Sequence, residues 1–302
     1  MCKKWLFGKN IVITGASSGI GFEVSKLLAG KYFCHIIGTG RNEEKLEKAK
    51  QEIQKSADEV YEKSKEKHRK KYERGSFDFY AFDVSDKEAW QQFKKHLEDI
   101  NFMPDIVINN AGMFLEFEKA ETQDIEKIEN VLKTNFLSQV YSYKTFEGVL
   151  KERKGGLINI SSSAALCPVV GAAAYSASKA ASKNFTESIM QEHKKEFYVG
   201  GLYPGFTKTN LVHEHKQISK LVLSVCQPVE KVAKKIVKAI SRKRKRTVIG
   251  FDAHLMSGFC RMFPILTPSL IRNVLSSSHD QMFDKVFVEN SKKRKNKKNK
   301  KQ

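Results

Sequence analysis

Short apolar runs alternate along the chain with longer segments in which apolar residues recur at helical spacing. The apolar runs predict parallel strands, because strands buried on both faces are continuously apolar. The strands are expected at residues 10–14, 33–39, 77–82, 105–109, 156–160, 198–203 and 247–250. The segments between them predict helices, among them residues 43–74, 86–100, 122–149 and a helix around residue 175. This alternation predicts an α/β fold, a doubly wound parallel sheet of the Rossmann type, with three α/β/α layers in a single domain.

The pattern changes after residue 250. Apolar residues stay dense up to residue 290, although Pro264 and Pro268 interrupt them, and residues 291–302 are mostly basic. We therefore divide the chain into a dinucleotide-binding and catalytic domain (1–250), an apolar helical extension (251–290) and a disordered basic tail (291–302). The extension has two interpretations. It is either a helical pair that covers the substrate cleft or contacts another subunit, or an interfacial segment that rests on a membrane beside a lipid-like substrate.

Residues 206–225 follow the predicted sixth strand and are expected to form a lid over the substrate. His213 and His215 lie two positions apart in this segment. A metal site needs further ligands, and none are spaced appropriately, so a polar lid is the better interpretation. The sequence predicts no metal ion.

Charge narrows the classes of partner. The 302 residues hold 54 Lys and Arg against 34 Asp and Glu, a formal net charge of +20. Eight of the cations, and no acid, lie between residues 292 and 301. A basic balance fits an anionic membrane surface or nucleic acid, but it also arises from a lysine-rich composition. The opposite charges of residues 43–74 nearly cancel, so they do not favour nucleic acid as a partner.

The five cysteines are scattered, with no Cys-x-x-Cys pair and no metal spacing, so we expect reduced thiols. No apolar signal region precedes the first strand. No run reaches the roughly 18 apolar residues that a membrane span requires. The expected location is cytoplasmic, with peripheral contact at a membrane surface as the open alternative.

A glycine-rich turn follows the first strand directly. Residues 14–21 place Gly15, Gly19 and Gly21 in Gly-x-x-x-Gly-x-Gly spacing, between a strand and a helical pattern. Glycines permit the tight turn and bring backbone N–H groups close to a pyrophosphate at the helix N-terminus. A plain glycine-rich connector is the alternative for the motif alone. The strand and helix on either side favour a dinucleotide site.

The end of the second strand bears on the choice of cofactor. An acid at this place would hold the ribose 2′-hydroxyl of NAD, whereas this chain has Gly40 followed by Arg41. A guanidinium suits a 2′-phosphate and predicts NADP(H) over NAD(H). The alternative is a surface arginine that begins a helix.

Other strand ends carry polar residues. The third ends at Asp83-Val84, where a carboxylate could accept from the adenine amino group, and the fourth ends at residues 109–112 with two asparagines. Side-chain amides there can hold the neighbouring backbone and line the cofactor cleft. The fifth strand leads into serines at 161–163.

Tyr175 and Lys179 are four residues apart, so a helix would place both on one face. An ordinary phenol loses its proton near pH 10, and an adjacent ammonium favours the phenolate. Such a phenol could exchange a proton with a carbonyl or alcohol at neutral pH. The alternative is an ordinary helix with a tyrosine on one face.

Together these residues resemble the short-chain dehydrogenase/reductase family over roughly residues 8–250. The matching features appear in the family's order and at similar intervals. They are the turn at 14–21, Asn109-Asn-Ala-Gly112, Asn135, Ser162, Tyr175 with Lys179, and Pro204-Gly205.

The resemblance implies a role for each catalytic residue. Tyr175 would be the general acid/base, and Ser162 would orient the substrate oxygen, while Ser161 and Ser163 would be structural. Lys179 would lower the pKa of Tyr175 and hold the nicotinamide ribose. Asn135 would kink its helix and support a proton relay to Lys179.

The resemblance also implies the cofactor contacts. Arg41 would mark NADP(H), although the glycine turn has Ser17-Ser18 where many NADP-preferring members carry a second basic residue. Asp83 and Val84 would touch adenine and Asn110 the adjoining ribose. The cofactor-binding residues are expected to be Gly15, Ser17, Ser18, Gly19, Ile20, Gly21, Arg41, Asp83, Val84, Asn110, Ala111, Gly112, Tyr175, Lys179, Pro204, Gly205 and Thr207.

The expected activity is hydride transfer between NADP(H) and a carbonyl or secondary alcohol, with a hydrophobic, lipid-like keto substrate suggested by the apolar extension. The resemblance implies a homodimer or tetramer. The alternative is a nucleotide-sensing or nucleic-acid-binding protein on the same fold, with binding through the basic tail.

Overall fold

A computed structural model describes residues 5–208, 226–278 and 280–288. Its central sheet has seven parallel strands in the order β3-β2-β1-β4-β5-β6-β9. These strands are β1 (Asn10–Thr14), β2 (His35–Gly40), β3 (Ser76–Ala81), β4 (Ile106–Asn109), β5 (Gly156–Ile160), β6 (Tyr198–Pro204) and β9 (Arg246–Ile249). Two short strands, β7 (Thr207–Lys208) and β8 (Gln227–Pro228), pair beside it. The strand order reverses between β1 and β4, which is where ligands bind in open α/β sheets.

The helices form two layers around this sheet. They are α1 (Gly19–Tyr32), α2 (Glu43–Glu62), α3 (Glu66–Arg69), α4 (Lys87–Asp99), α5 (Ile125–Leu132), α6 (Ser138–Glu152), α7 (Ala173–Glu192), α8 (Val229–Ser241), α9 (Phe251–Met262) and α10 (Leu266–Ser277). Short 3₁₀ turns lie at Ala120–Thr122, Ser163–Ala165 and Gln281–Phe283. The predicted doubly wound α/β fold is therefore confirmed.

The core divides along the two faces of the sheet. One apolar cluster joins the strands to α1, α2 and α8, with Leu28, Ile53 and Ile236 fully buried. The other joins them to α4, α6 and α7 and is built on aromatic rings, including Trp90 and Phe146. These two cores hold the carboxyl ends of β1, β4, β5 and β6 at one edge.

Three boundaries differ from the sequence prediction. Strand β2 begins at His35 because Phe33 takes a left-handed conformation (φ 54°) and donates its N–H to the Leu28 carbonyl, which caps α1. The helix predicted at 43–74 ends at Glu62 and is followed by the short α3. The helix predicted at 122–149 is divided by a π-helical turn, Lys133–Leu137.

The apolar segment after residue 250 forms the predicted helical pair, α9 and α10. Most of the segment predicted as a lid, with His213 and His215, lies outside the described residues, and so does the basic segment 291–302. Within the described residues, no helix combines the length and the hydrophobicity needed to cross a bilayer.

Candidate active site

The glycine-rich turn is fixed to the neighbouring strand by one threonine and one asparagine. The Thr14 hydroxyl accepts from the backbone N–H groups of Asn110 (3.0 Å) and Ala111 (2.9 Å). The Asn110 side-chain amide donates to the Thr14 and Gly15 carbonyls at 3.0 and 3.1 Å. Both amide hydrogens of Asn110 are therefore engaged with the turn. The Asn110 amide therefore holds the glycine turn in place, and its predicted contact with the adjoining ribose stays a prediction.

The turn is too tight for side chains at its glycines. Gly15 has a φ of 66°, and a Cβ on Gly21 would lie 2.2 Å from the Gly15 carbonyl oxygen. Ser18 is the N-cap of α1, but its side chain makes no capping hydrogen bond, and Ser17 and Ile20 are partly exposed. The first turn of α1 therefore presents unshared N–H groups, as an anion site at a helix N-terminus requires.

Arg41 lies in an open cleft beside this turn. The cleft is lined by residues 41–44 and 81–83. The Arg41 guanidinium is exposed and lies 3.8 Å from the Asp83 carboxylate. This loose ion pair leaves the guanidinium free to change partners at little cost. Glu43 and Glu44 line the same cleft, so its charge is mixed.

The Asp83 carboxylate lies in the cleft, whereas the Val84 side chain points into the core. One Asp83 oxygen accepts from the backbone N–H (2.9 Å) and hydroxyl (2.8 Å) of Ser85, while the other faces Arg41. The Val84 side chain is buried in the aromatic core, and its carbonyl accepts from the Trp90 indole N–H. Only the backbone of Val84 is thus available to the cleft.

The four predicted catalytic residues come together at the ends of β4 and β5. Ser162 hydrogen-bonds the hydroxyl of Tyr175, and Lys179 Nζ lies 5.6 Å from the Tyr175 ring centroid. A Cβ built on Gly112 would lie 3.1 Å from Lys179 Nζ and 3.2 Å from Asn135 Oδ1, so both polar groups converge on this glycine. The i, i+4 spacing of Tyr175 and Lys179 in α7 produces this geometry.

Asn135 is fully buried in the π-helical turn. Its Oδ1 accepts from the Met113 N–H at 2.7 Å, and its Nδ2 donates to the Met113 carbonyl and to Ser178 Oγ. Ser178 Oγ donates in turn to the Tyr175 carbonyl. The extra residue of the π turn directs the Asn135 amide across the cleft, a common placement for π turns at functional sites.

The three serines at 161–163 have different hydrogen-bond partners. Ser161 Oγ donates to the Lys179 carbonyl at 3.0 Å and so joins the end of β5 to α7. Ser163 is buried at the start of a 3₁₀ turn, and Ser162 Oγ accepts from the Ala164 N–H. Ser162 is the one of the three that is hydrogen-bonded to Tyr175.

Burial shifts the pKa of both members of the Tyr175–Lys179 pair. Burial raises the pKa of Tyr175 above that of an ordinary phenol, and its hydrogen bond with Ser162 opposes this rise. Burial lowers the pKa of Lys179 to about 8. Burial therefore opposes the lowering of the Tyr175 pKa that was predicted from Lys179, and that role of Lys179 stays a prediction. The phenol keeps its proton at neutral pH.

The loop after β6 closes the other side of the cleft. Gly205 donates its N–H to the Ile249 carbonyl, and Thr207 Oγ1 donates to the Gly205 carbonyl at 2.9 Å. Asp252 of α9 accepts from the Phe206 N–H at 2.7 Å, and a Cβ on Gly205 would lie 2.1 Å from this carboxylate. Burial raises the pKa of Asp252, whereas the backbone bond opposes the rise.

Several residues beside the cleft were not predicted. Asp252 joins the C-terminal extension to the Pro204-Gly205 loop, and nothing in its sequence neighbourhood indicates this. Phe114 packs edge-on against Tyr175 with centroids 5.1 Å apart. Ser178, which joins Asn135 to the Tyr175 carbonyl, lies between Tyr175 and Lys179 in the sequence. Its small polar side chain was the sequence feature that could have indicated this contact.

Comparisons with known proteins agree with this arrangement. A family model described as short chain dehydrogenase matches residues 9–219. The 3-ketodihydrosphingosine reductase of Bos taurus is 32% identical over 270 residues, which cover 85% of this chain and 76% of that protein. Dehydrogenase/reductase SDR family member 7B of Xenopus laevis is 28% identical over 295 residues, 93% of this chain and 85% of that protein.

A solved structure also has the same fold. The alcohol dehydrogenase from the archaeon Thermococcus sibiricus, complexed with 5-hydroxy-NADP, superposes with a TM-score of 0.67 at 19% identity, covering 80% of this chain and 96% of that one. The family match spans more than half of the chain and includes both the glycine-rich turn and Tyr175 with Lys179. The chain therefore belongs to the short-chain dehydrogenase/reductase family.

Proposed function

We propose that this protein uses NADPH to reduce the keto group of a lipid-like substrate, with Tyr175 as the general acid. The family uses nicotinamide cofactors and acts on small-molecule carbonyls or alcohols. The bovine relative is named as a reductase of a ketosphingoid base. What this chain adds is an apolar cluster beside Tyr175, with the partly exposed Phe114 at its edge, and that observation carries the proposal.

Aromatic rings form a continuous path from Tyr175 to the C-terminal extension. Phe114 contacts Tyr175, Phe117 lies 4.8 Å from Phe114, and Phe283 lies 4.7 Å from Phe117, all between ring centroids. This third apolar cluster also contains Met256 of α9 and Leu275 of α10. The partly exposed edge of this cluster beside Tyr175 would favour an alkyl chain over a polar substituent, because burying each methylene gains about 0.8 kcal/mol.

The glycine-rich turn supports a bound dinucleotide. A Cβ at Gly15 would lie 2.9 Å from the Ala111 Cα, and one at Gly21 would meet the Gly15 carbonyl, so only glycine fits this tight turn, whose helix N-terminus would hold a pyrophosphate. When bound, a reduced nicotinamide supplies a hydride to the carbonyl carbon. The residues at 15–21, Ala111, Gly112 and the loop at 204–207 would hold this cofactor.

The protonation of the cleft supports reduction. Tyr175 keeps its proton because burial raises its pKa, so it can give this proton to the oxygen of a reacting carbonyl. Ser162 shares a hydrogen bond with Tyr175 and would orient the same oxygen. The Lys179 ammonium, near the ring, would stabilise the phenolate that results. Asn135, close to Gly112 and Lys179, would return a proton through the relay that the family resemblance implies.

The preference for NADPH rests on Arg41. Its guanidinium is held by one loose contact with Asp83, and a phosphate would form stronger, charge-assisted hydrogen bonds. Glu43 and Glu44 oppose a phosphate in the same cleft. We therefore expect Arg41 to decide the preference.

The test is a series of keto lipids of increasing chain length, including 3-ketodihydrosphingosine, with NADPH consumption followed by nicotinamide fluorescence. We expect kcat/KM to rise with chain length, by up to about fourfold per methylene. Tyr175→Phe should lower kcat by about a hundred- to ten-thousand-fold, the usual contribution of a general acid. Tyr141→Phe is the matched control, because Tyr141 packs at the edge of the second core.

Equal rates for short polar ketones would contradict the lipid-like substrate while leaving the reductase intact. Turnover that survives in Tyr175→Phe would remove Tyr175 from catalysis.

A further inference from the structure

The two C-terminal helices expose large apolar side chains to water. Phe251, Leu255, Phe259 and Met262 follow one another at spacings of three or four residues along α9, and all four are exposed. The exposed fraction of the side chain is 81% at Phe251 and 71% at Met262. Helical spacing places the four on one stripe.

The stripe continues into α10. Ile265, in the connection between the helices, is 85% exposed, and Leu266, Leu270 and Val274 are exposed at intervals of four. Single exposed apolar residues are common, but with Phe263, which is 46% exposed, nine lie within 24 positions and form a patch of the kind that marks an interaction site. We call these nine residues the docking face.

The inner sides of these helices are already used. Ala253 and Cys260 of α9 and Thr267 of α10 are buried, and Met256 and Leu275 pack into the third apolar cluster beside Tyr175. The docking face is therefore a second apolar surface, additional to the one that attaches the helices to the fold.

The exposed charged side chains of residues 251–278 are all of one sign. Between residues 251 and 278 the single acid is Asp252, and its carboxylate points into the fold, where it accepts from the Phe206 N–H and from Gln227. Arg261 and Arg272 are exposed. A helix that faced water alone would interleave acids with these cations.

The neighbouring sequence has the same sign. Residues 292–301 contain eight Lys and Arg and no acid. An apolar helical surface next to a polybasic segment provides the two attractions that hold peripheral proteins on anionic membranes, namely insertion of apolar side chains and attraction to charged headgroups.

We propose that the docking face rests on a bilayer that contains anionic lipids. Each helix has 12 residues and is therefore about 18 Å long, shorter than the roughly 30 Å hydrocarbon core, so the pair would lie along the surface. A second copy of the chain fits the charges less well. A two-fold contact would bring Arg261 and Arg272 towards their own equivalents, with no acid in the face to pair with them.

The test is co-sedimentation of the full-length protein with vesicles of phosphatidylcholine, with and without phosphatidylserine. We expect binding to the vesicles that contain phosphatidylserine and weaker binding as salt is added. Phe251→Ser combined with Ile265→Ser should lower this affinity at least tenfold. Both side chains are almost fully exposed, so the unfolding midpoint should not change. Ile125→Ser on α5, where the side chain is 66% exposed, is the matched control and should bind as the unmodified protein does.

Binding of the double variant equal to that of the unmodified protein would overturn the proposal, because the basic segment alone would then suffice. Absence of binding by the unmodified protein would also overturn it. A dimer in solution that the double variant converts to a monomer would show that a second copy covers the face. None of these readouts uses turnover, so they are independent of the proposed reductase activity.

Discussion

Tyr175 and Lys179 are both withdrawn from water, which costs stability. An unfolded lysine keeps its proton up to about pH 10.5, whereas folded Lys179 loses it at a pKa of about 8. Between these values the unfolded chain binds more protons, so the contribution of Lys179 to stability rises with pH across this window. At neutral pH the buried ammonium is destabilising, as charges held at active sites often are.

Lys179→Met should therefore make the protein more stable while abolishing turnover. At pH 7 we expect the free energy of unfolding to rise by about 3 kcal/mol, because the pKa falls from 10.5 to about 8 and each pKa unit corresponds to about 1.4 kcal/mol. The gain should shrink as the pH rises from about 8 to 10.5. Urea unfolding at several pH values measures it. Lys183→Met, in the same helix but paired with Glu187, is the control and should change stability by less than about 1 kcal/mol at every pH.

A gain from Lys179→Met that does not depend on pH would mean that the side chain is destabilising for some reason other than its charge.

Arg41 decides cofactor choice in the proposed account. Arg41→Ala should weaken NADPH binding by about ten- to a hundredfold, as expected from the loss of a charge-assisted hydrogen bond to phosphate, and leave NADH binding unchanged. Titration of each nicotinamide fluorescence signal measures both affinities. Lys50→Ala is the control, because Lys50 lies on α2 and pairs with Asp78 away from the cleft.

Equal loss of both cofactors in Arg41→Ala would indicate damage to the cleft. If the unmodified protein preferred NADH, Arg41 would have no part in cofactor choice.

At the residue scale, the sequence predicted which side chains meet but not their energetics. Helical spacing paired Tyr175 with Lys179, and the family resemblance implied that Asn135 and Ser162 join them in one cleft. The pKa of Tyr175 depends on burial by Phe114 and its neighbours, and these come from a segment without a recognisable pattern. The engagement of Asn110 with the glycine turn depends on distances across two strands, which spacing does not give.

Two glycines should respond in opposite directions to replacement by alanine, namely Gly21 in the turn between β1 and α1 and Gly148 in α6. A Cβ at Gly21 would lie 2.2 Å from the Gly15 carbonyl, whereas nothing lies within 4 Å of a Cβ at Gly148 in α6. Gly21→Ala should lower the free energy of unfolding by about 1–3 kcal/mol through overpacking, and NADPH binding should fall with it. Gly148→Ala should raise stability by about 0.5–1 kcal/mol, because a helix interior disfavours glycine. Thermal unfolding and NADPH titration measure the two effects.

Unchanged NADPH affinity in Gly21→Ala would mean that this turn does not hold the cofactor.

At the element scale, most helices and strands followed from the apolar pattern, and the exceptions have local causes. Phe33 ends α1 in a left-handed conformation that bulky residues rarely adopt, so the apolar run at 33–39 gave no warning of it. The π turn at Lys133–Leu137 inserts one residue without any Pro or Gly to mark it. Asn135 was selected from the family pattern, and the π turn is the structural form of the predicted kink.

At the scale of the whole molecule, the strand order brings the ends of β1, β4, β5 and β6 to one edge, and the C-terminal helices add an apolar cluster there. Strand and helix alternation predicted the sheet. The position of α9 and α10 depends on contacts such as Asp252 with Phe206, which have no sequence signature. The homo-oligomer implied by the family resemblance stays a prediction.

The central claim is hydride transfer to a keto carbon in a cleft where Tyr175 supplies the proton. The most direct measurement uses NADPH in which both hydrogens at nicotinamide C4 are replaced by deuterium, with 3-ketodihydrosphingosine as the substrate and mass spectrometry of the product. We predict one deuterium on the new carbinol carbon with the unmodified protein, and loss of labelled product with Tyr175→Phe but not with Tyr141→Phe. A product without deuterium, or equal labelling by the Tyr175 variant, would contradict the account.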